Sequence, residues 1–183
     1  MNRFRYWLPF ACLLWATTVP GADLSVPRTV LVIPFDLIDT SPLNELNQGP
    51  QASDLARLDR IQHLVRQLTN ARTEFSVLDN AAINELIERE KHRYRYLYDC
   101  NGCELDLAHA ANAELVMVGW VQKVSNLILN MNIVIRDAAT GQDIAGASVD
   151  MRGNTDESWS RAAHRLIEDD LLRSYRRTAH KQQ

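Results

Sequence analysis

Hydrophobic and polar positions recur with two different periods along this chain, and each change of period marks an element. Leu115 to Val121 is almost continuously apolar and ends near Gln122-Lys123, the pattern of a strand covered on both faces. The next segment alternates, with Leu127, Leu129, Met131, Ile133 and Ile135 on one face and Asn130, Asn132 and Arg136 among those on the other. One face of that strand meets the core, and the other is at least partly wet. Asp137-Ala138-Ala139-Thr140-Gly141 is a turn in which Gly141 can take the left-handed conformation. Ile144 to Arg152 therefore returns as a hairpin, with Ala145, Ala147, Val149 and Met151 as its apolar face.

Upstream, Thr29 to Phe35 reads as a buried strand ended by Pro34. The stretch from Phe35 to Pro50, with Ser41-Pro42 and Gln48-Gly49-Pro50, carries loop chemistry and is long for a compact domain. Ser53 caps an amphipathic helix to Asn70, in which Leu55, Leu58, Ile61, Leu64, Val65 and Leu68 recur at helical spacing. Glu74 to Leu78 is a short strand. Asp79 or Asn80 then caps a helix that carries Ile83, Leu86 and Ile87 and continues through Tyr98. Glu104 to Ala111 forms a small helix. Asn154 with Glu157 offers a capping box for a last helix to about Tyr175, with Trp159, Ala163, Leu166, Ile167 and Leu171 as its stripe. This order predicts an α/β single domain, residues 23–175, whose mixed sheet ends in an antiparallel meander packed by helices. Residues 176–183 read as a polar tail that frays.

The first 22 residues read differently. Asn2-Arg3-Phe4-Arg5 is a basic opening, Tyr6 to Val19 is apolar, and Gly21 and Ala22 are small, which together predict a cleaved signal peptide and a periplasmic protein. The apolar run is short and broken by Pro9, so stable membrane insertion after cleavage is not expected. Loss of Arg3 and Arg5 takes the formal charge of −3 to −5, which argues against nucleic acid and anionic membrane as partners. The run Arg93-Tyr94-Arg95-Tyr96-Leu97-Tyr98 is accordingly read as packing and not as a stacking platform.

Cleavage also removes Cys12 and leaves Cys100-Asn101-Gly102-Cys103, a pair expected to be disulfide-bonded in an exported protein. Three uses are open. The bond can clamp the entry to the Glu104 helix. It can exchange with other thiols, Cys100 attacking and Cys103 resolving, since a helix N-terminus lowers a thiol pKa. Or the sulfurs can join His92 or His109 around a metal, although a second matched pair is missing. Glu104 stands where a haem-attachment motif needs histidine. No Gly-rich phosphate loop, carboxylate pair or nucleophile elbow is present, so neither catalysis nor a cofactor is expected. His63, His92, His109, His164 and His180 and the run Glu168-Asp169-Asp170 read as solvated helix faces.

The run Val30-Leu31-Val32-Ile33-Pro34-Phe35 and the passage Ala113-Glu114-Leu115-Val116-Met117-Val118-Gly119-Trp120-Val121 leading to Asp137-Ala138-Ala139-Thr140-Gly141 resemble the N-terminal domain of TolB and related domains of CsgG, FlgT and LpoB. The Cys-x-x-Cys-Glu opening and the passage from Arg152-Gly153-Asn154-Thr155 to Ser158-Trp159 resemble an exported bacterial family of unknown function. The resemblance implies work in the cell envelope by contact with another envelope or periplasmic protein, without catalysis. Asn130, Asn132 and Arg136, or the Phe35 to Pro50 segment, are the candidate contact surface. The cysteine pair and that long segment both depart from the TolB pattern.

Overall fold

The computed structural model describes residues 26–181, so the signal peptide expected over residues 1–22 lies outside the described residues. In chain order the elements are β1 (Arg28–Val32), β2 (Asp36–Asp39), α1 (Pro42–Leu46), α2 (Ala52–Asn70), β3 (Phe75–Val77), α3 (Asn84–Arg93) and α4 (Cys103–Ala110). The meander β4 (Leu115–Ser125), β5 (Ile128–Asp137) and β6 (Asp143–Met151) follows, then α5 (Asp156–Arg165) and α6 (Leu172–Lys181), joined by a π-helical stretch, Leu166–Leu171.

The six strands form one mixed sheet in the order β3-β1-β4-β5-β6, with β2 also paired to β4. Strands β1, β2 and β3 run parallel to their neighbours, and β4, β5 and β6 are antiparallel. Pro34 does not end the sheet here. It lacks the N–H that a ladder needs, so one line of chain is divided into two strands that use successive parts of β4: Val30 pairs with Leu115 and Asp36 with Trp120. The stretch from Phe35 to Pro50 is therefore not a plain loop, as its composition suggested, but holds β2 and α1. Ser41 caps α1 by accepting from Asn44 N–H. A four-residue strand flanked by acids leaves little trace in a hydrophobicity pattern.

Alternation along the strands sorts the core into two layers. Val32, Met117, Val121, Met131, Ile133 and Ile135 meet α2, α5 and the π-helical stretch on one face, with Trp159 at the centre. Leu31, Ile33, Val116 and Val118 meet α3 and α4 on the other, beside Cys100 and Cys103. Gly119 is required by the first layer, because a Cβ there would sit 2.2 Å from the Phe35 ring.

Several helix ends differ from the sequence reading. α2 begins at Ala52 with Gln51 as its cap residue, so Ser53, expected to cap it, lies within its first turn. α3 stops at Arg93, and Tyr94 is extended, where continuation to Tyr98 was expected. Asp36 Oδ2 accepts Tyr98 N–H at 2.7 Å, a tertiary contact that a straight helix would forbid. Tyr94 and Tyr98 still pack on the second layer. At α5 the cap is Thr155, which accepts from Ser158 N–H, and Asn154 is free for other contacts. Beyond Tyr175 the chain stays helical to Lys181, and Arg176 reaches Glu74.

Candidate functional site

An ion cluster lies where β2, β4 and α2 meet. Lys123 Nζ stands 3.0 Å from Asp39 Oδ2 and 2.6 Å from Asp54 Oδ2, and all three side chains are fully buried. Asp54 Oδ1 also accepts from Arg57 at 2.8 Å and from Asn154 Nδ2 at 2.7 Å. Asn154 Oδ1 in turn accepts from Trp159 Nε1 at 2.8 Å, which carries the network into α5. Burial works against the Lys123 and Asp54 charges. For Lys123 the bonds to Asp54 and Asp39 outweigh it and hold the ammonium pKa above its usual value. For Asp54 the bonds from Lys123 and Asn154 and the charges of Lys123 and Arg57 hold the carboxyl below its usual range.

Sequence reasoning missed this cluster, although two signals for it exist. Lys123 falls on the same side of the period-2 pattern as Met117 and Val121, and Asp54 stands on the helical stripe of Leu58, Ile61 and Val65. A charge on an apolar stripe needs a buried partner.

The cysteine pair sits on the opposite face. Cys100 and Cys103 are disulfide-bonded and only 1% and 5% exposed. Gly102, at φ +111°, bends the chain into α4, and its N–H donates to Glu104 Oε2 at 3.1 Å. The same oxygen lies 3.1 Å from Cys100 Sγ. Glu104 Oε1 accepts from Arg136, which also binds Asp143 Oδ1 at 2.7 Å. Burial opposes the Arg136 charge, but the Asp143 and Glu104 carboxylates raise its pKa above the ordinary guanidinium value. Among the described residues, Cys100, Cys103 and Glu104 form a group of potential metal donors within 4.8 Å. With the disulfide closed the sulfurs offer no thiolate, and His92 and His109 stand outside the group, both exposed. His63 and His164 are exposed as well.

The three polar residues expected on the wet face of β5 do lie on the side away from the first layer, and each has its own circumstance. Asn130 Nδ2 donates to Ser148 Oγ at 3.0 Å and Asp150 Oδ1 at 2.8 Å. Arg136 is held as just described. Asn132 alone keeps an unpaired amide nitrogen. Nearby, Tyr98 stacks on Trp120 at 4.9 Å between centroids. Asp36 below them is pushed up to about 6 by burial, against the hydrogen bonds from Tyr98 and Leu97 N–H and the charge of Lys91.

Exposed apolar side chains are unevenly distributed. Apart from Val26 before β1, the exposed large apolar side chains Leu43, Leu46, Leu55, Val124, Leu127 and Ile128 lie on α1, the start of α2 and the β4–β5 hairpin tip, with Leu46 78% and Leu127 73% exposed. Thr40 N–H donates to Lys123 C=O at 2.9 Å, and Gln51, Ser53, Asn126 and Leu127 line one cleft, so these segments share one pole of the molecule. The ion cluster lies directly beneath them. No helix of the described residues is long and apolar enough to cross a membrane.

The family model described as "Protein of unknown function (DUF2380)" matches residues 28–171. No curated protein matches the chain. Among solved structures, the LpoB C-terminal domain from Salmonella enterica is similar with a TM-score of 0.51 at 10% identity, over 73% of this chain and 87% of that one. The LpoB C-terminal domain from Escherichia coli gives 0.48 at 11% identity, over 72% and 87%. TolB from Acinetobacter baumannii gives 0.43 at 11% identity, over 85% of this chain and 29% of that one. The likeness to LpoB is one of fold.

Lys123→Met should cost roughly 3–5 kcal/mol in urea unfolding, because it leaves Asp39 and Asp54 buried without their cation. Adding Asp39→Asn and Asp54→Asn should recover part of that loss, and a triple variant no more stable than the single one would contradict the account. Asp36 gives a pH signature of its own. Its raised pKa means that its contribution is full below its unfolded value of 3.8 and is lost as pH rises through about 6. Thermal melts should show Asp36→Asn gaining on the wild type across that interval, whereas parallel curves would refute it.

Proposed function

The chain belongs to the family described as Protein of unknown function (DUF2380), and from that premise we propose that it is a non-catalytic periplasmic protein that works by holding another envelope protein. The observation that carries this reading is the apolar pole: six exposed aliphatic side chains gathered on α1, α2 and the β4–β5 hairpin. Exposed aliphatic side chains gathered on neighbouring segments mark a contact surface more often than scattered ones do. The buried cluster of Lys123, Asp39 and Asp54 supports the same reading, since it fixes the three segments that display the pole and leaves none of its charges open to solvent. Export rests on the signal peptide read from residues 1–22. The Asn132 amide nitrogen is buried as well as unpaired, so on this face of β5 it is Asn130, on the solvent side beside Ser148 and Asp150, that can serve as a second contact surface.

The burial of both sulfurs favours a disulfide that serves geometry over one that turns over, because exchange needs an attacking thiolate to reach sulfur in line. It braces Glu104 beneath Arg136 and so pins α4 to β5.

Replacing Leu46, Leu127 and Ile128 by aspartate should abolish capture of the partner from an envelope fraction while the circular dichroism spectrum and melting temperature hold. Undiminished capture would retire the pole, and Asn130→Ala in the same assay decides whether the sheet face takes its place. Cys100→Ser should lower stability by about 2 kcal/mol, the loop-entropy value for so short a ring. Cys103→Ser, which removes the resolving sulfur and leaves Cys100 able to attack, should accumulate no mixed disulfide on non-reducing gels; a trapped one would reinstate the thiol–disulfide exchange reading.

A further inference from the structure

Strand β2 is a sheet edge, and its backbone is only partly covered. Thr40 N–H bonds to Lys123 C=O, and Ile38 is in register with Gln122. Backbone groups alternate along a strand, so Asp36, Ile38 and Thr40 turn toward β4 while Leu37 and Asp39 turn away from it. Along the rest of this edge the outward groups are covered by side chains. Arg66 and Asn80 donate to Val32 C=O at 3.2 and 3.0 Å, Phe35 N–H donates to Gln62 at 3.3 Å, and Asn44 donates to Asp39 C=O at 2.8 Å. Among the described residues, no such partner meets Leu37 N–H, Leu37 C=O or Asp39 N–H. A sheet edge left open in this way is a template for another strand.

Leu37 and Asp39, each 8% exposed, line a groove of about 570 Å³. Leu55 and Leu58 form one wall, and Arg95 and Tyr96 form part of the other. Three carboxylates line it, Asp36, Asp39 and Glu45, of which Asp39 is already matched by Lys123. The single cation, Arg95, lies 5.2 Å over the Tyr96 ring. Asp36 and Glu45 outnumber the cation on the lining, with Lys91 acting on Asp36 from outside it, and the chain as a whole is negative.

We propose that the β2 edge takes an extended segment of a partner polypeptide as an added strand, through Leu37 and Asp39, with a lysine or arginine of that segment reaching Asp36 and Glu45. This rests on the contact reading above and names what the partner presents: backbone in extended form, an apolar side chain toward Leu55 and Leu58, and a cation. Main-chain bonds supply attachment, and the two carboxylates supply choice.

The probe is an alternating valine–lysine heptapeptide, compared with a valine–glutamate peptide and with a lysine peptide N-methylated at alternate residues. Amide exchange is followed by NMR on the full mature chain. The Leu37 and Asp39 amides should exchange fast in the free protein and slow by at least about tenfold with the lysine peptide, but not with either control. Slow exchange before peptide is added, no added protection at saturation, or equal protection by the N-methylated or the glutamate peptide would overturn the added strand. The failures separate: an envelope partner released by the pole variants that leaves Leu37 and Asp39 unprotected refutes the added strand and leaves the contact reading standing.

Discussion

A lysine ammonium placed fully inside a protein forces the arrangement of everything near it. Lys123 cannot shed its hydration unless carboxylates meet it at hydrogen-bond distance, and Asp39 and Asp54 do so from two different elements. Their second negative charge is answered by Arg57, and the remaining oxygen of Asp54 is closed by Asn154. Four parts of the chain are thereby held in one register: the short edge strand β2, the end of β4, the first turn of α2 and the entry to α5. Apolar packing alone would tolerate small slips between them, whereas a charge left unpaired at zero exposure would not.

A second fastening stands at the other end of β4 and on the other face. Arg136 is in register with Val116, near the start of that strand, and joins Glu104 of α4 to Asp143 of β6. The disulfide just before α4 sets the direction from which Glu104 approaches. One fastening is ionic throughout, and the other combines a covalent ring with an ion chain. Between them β4 is clamped near both ends, and the buried charges at both places are already paired with one another.

Similarity to LpoB at a TM-score of 0.51 describes how the chain is folded. A shared fold leaves the work to the parts that differ. The cysteine pair and the Phe35 to Pro50 segment each carry part of these fastenings. The first carries one of the two fastenings. The second contributes β2, α1, one acid of the ion cluster and one wall of the groove.

The meander was legible because its strands obey a strict period of two and its Asp137 to Gly141 turn is chemically explicit, with Gly141 at φ +69°. The last helix and the pairing of Cys100 with Cys103 were legible for similar reasons, since local pattern and compartment suffice for them. What local pattern could not supply was any relation that depends on residues far apart in the chain. Lys123 meets Asp54 across 69 positions, and Tyr98 meets Asp36 across 62, so neither the buried ion cluster nor the early end of α3 has a local cause. The amino-acid order by itself determined the long strands and helices and their apolar faces, because those follow from periodicity, whereas β2, α1 and the early end of α3 left no such trace. Only the tertiary structure decided which charges are buried, which strand edge stays open and where the exposed leucines gather, because each of those is set by what the folded chain brings alongside.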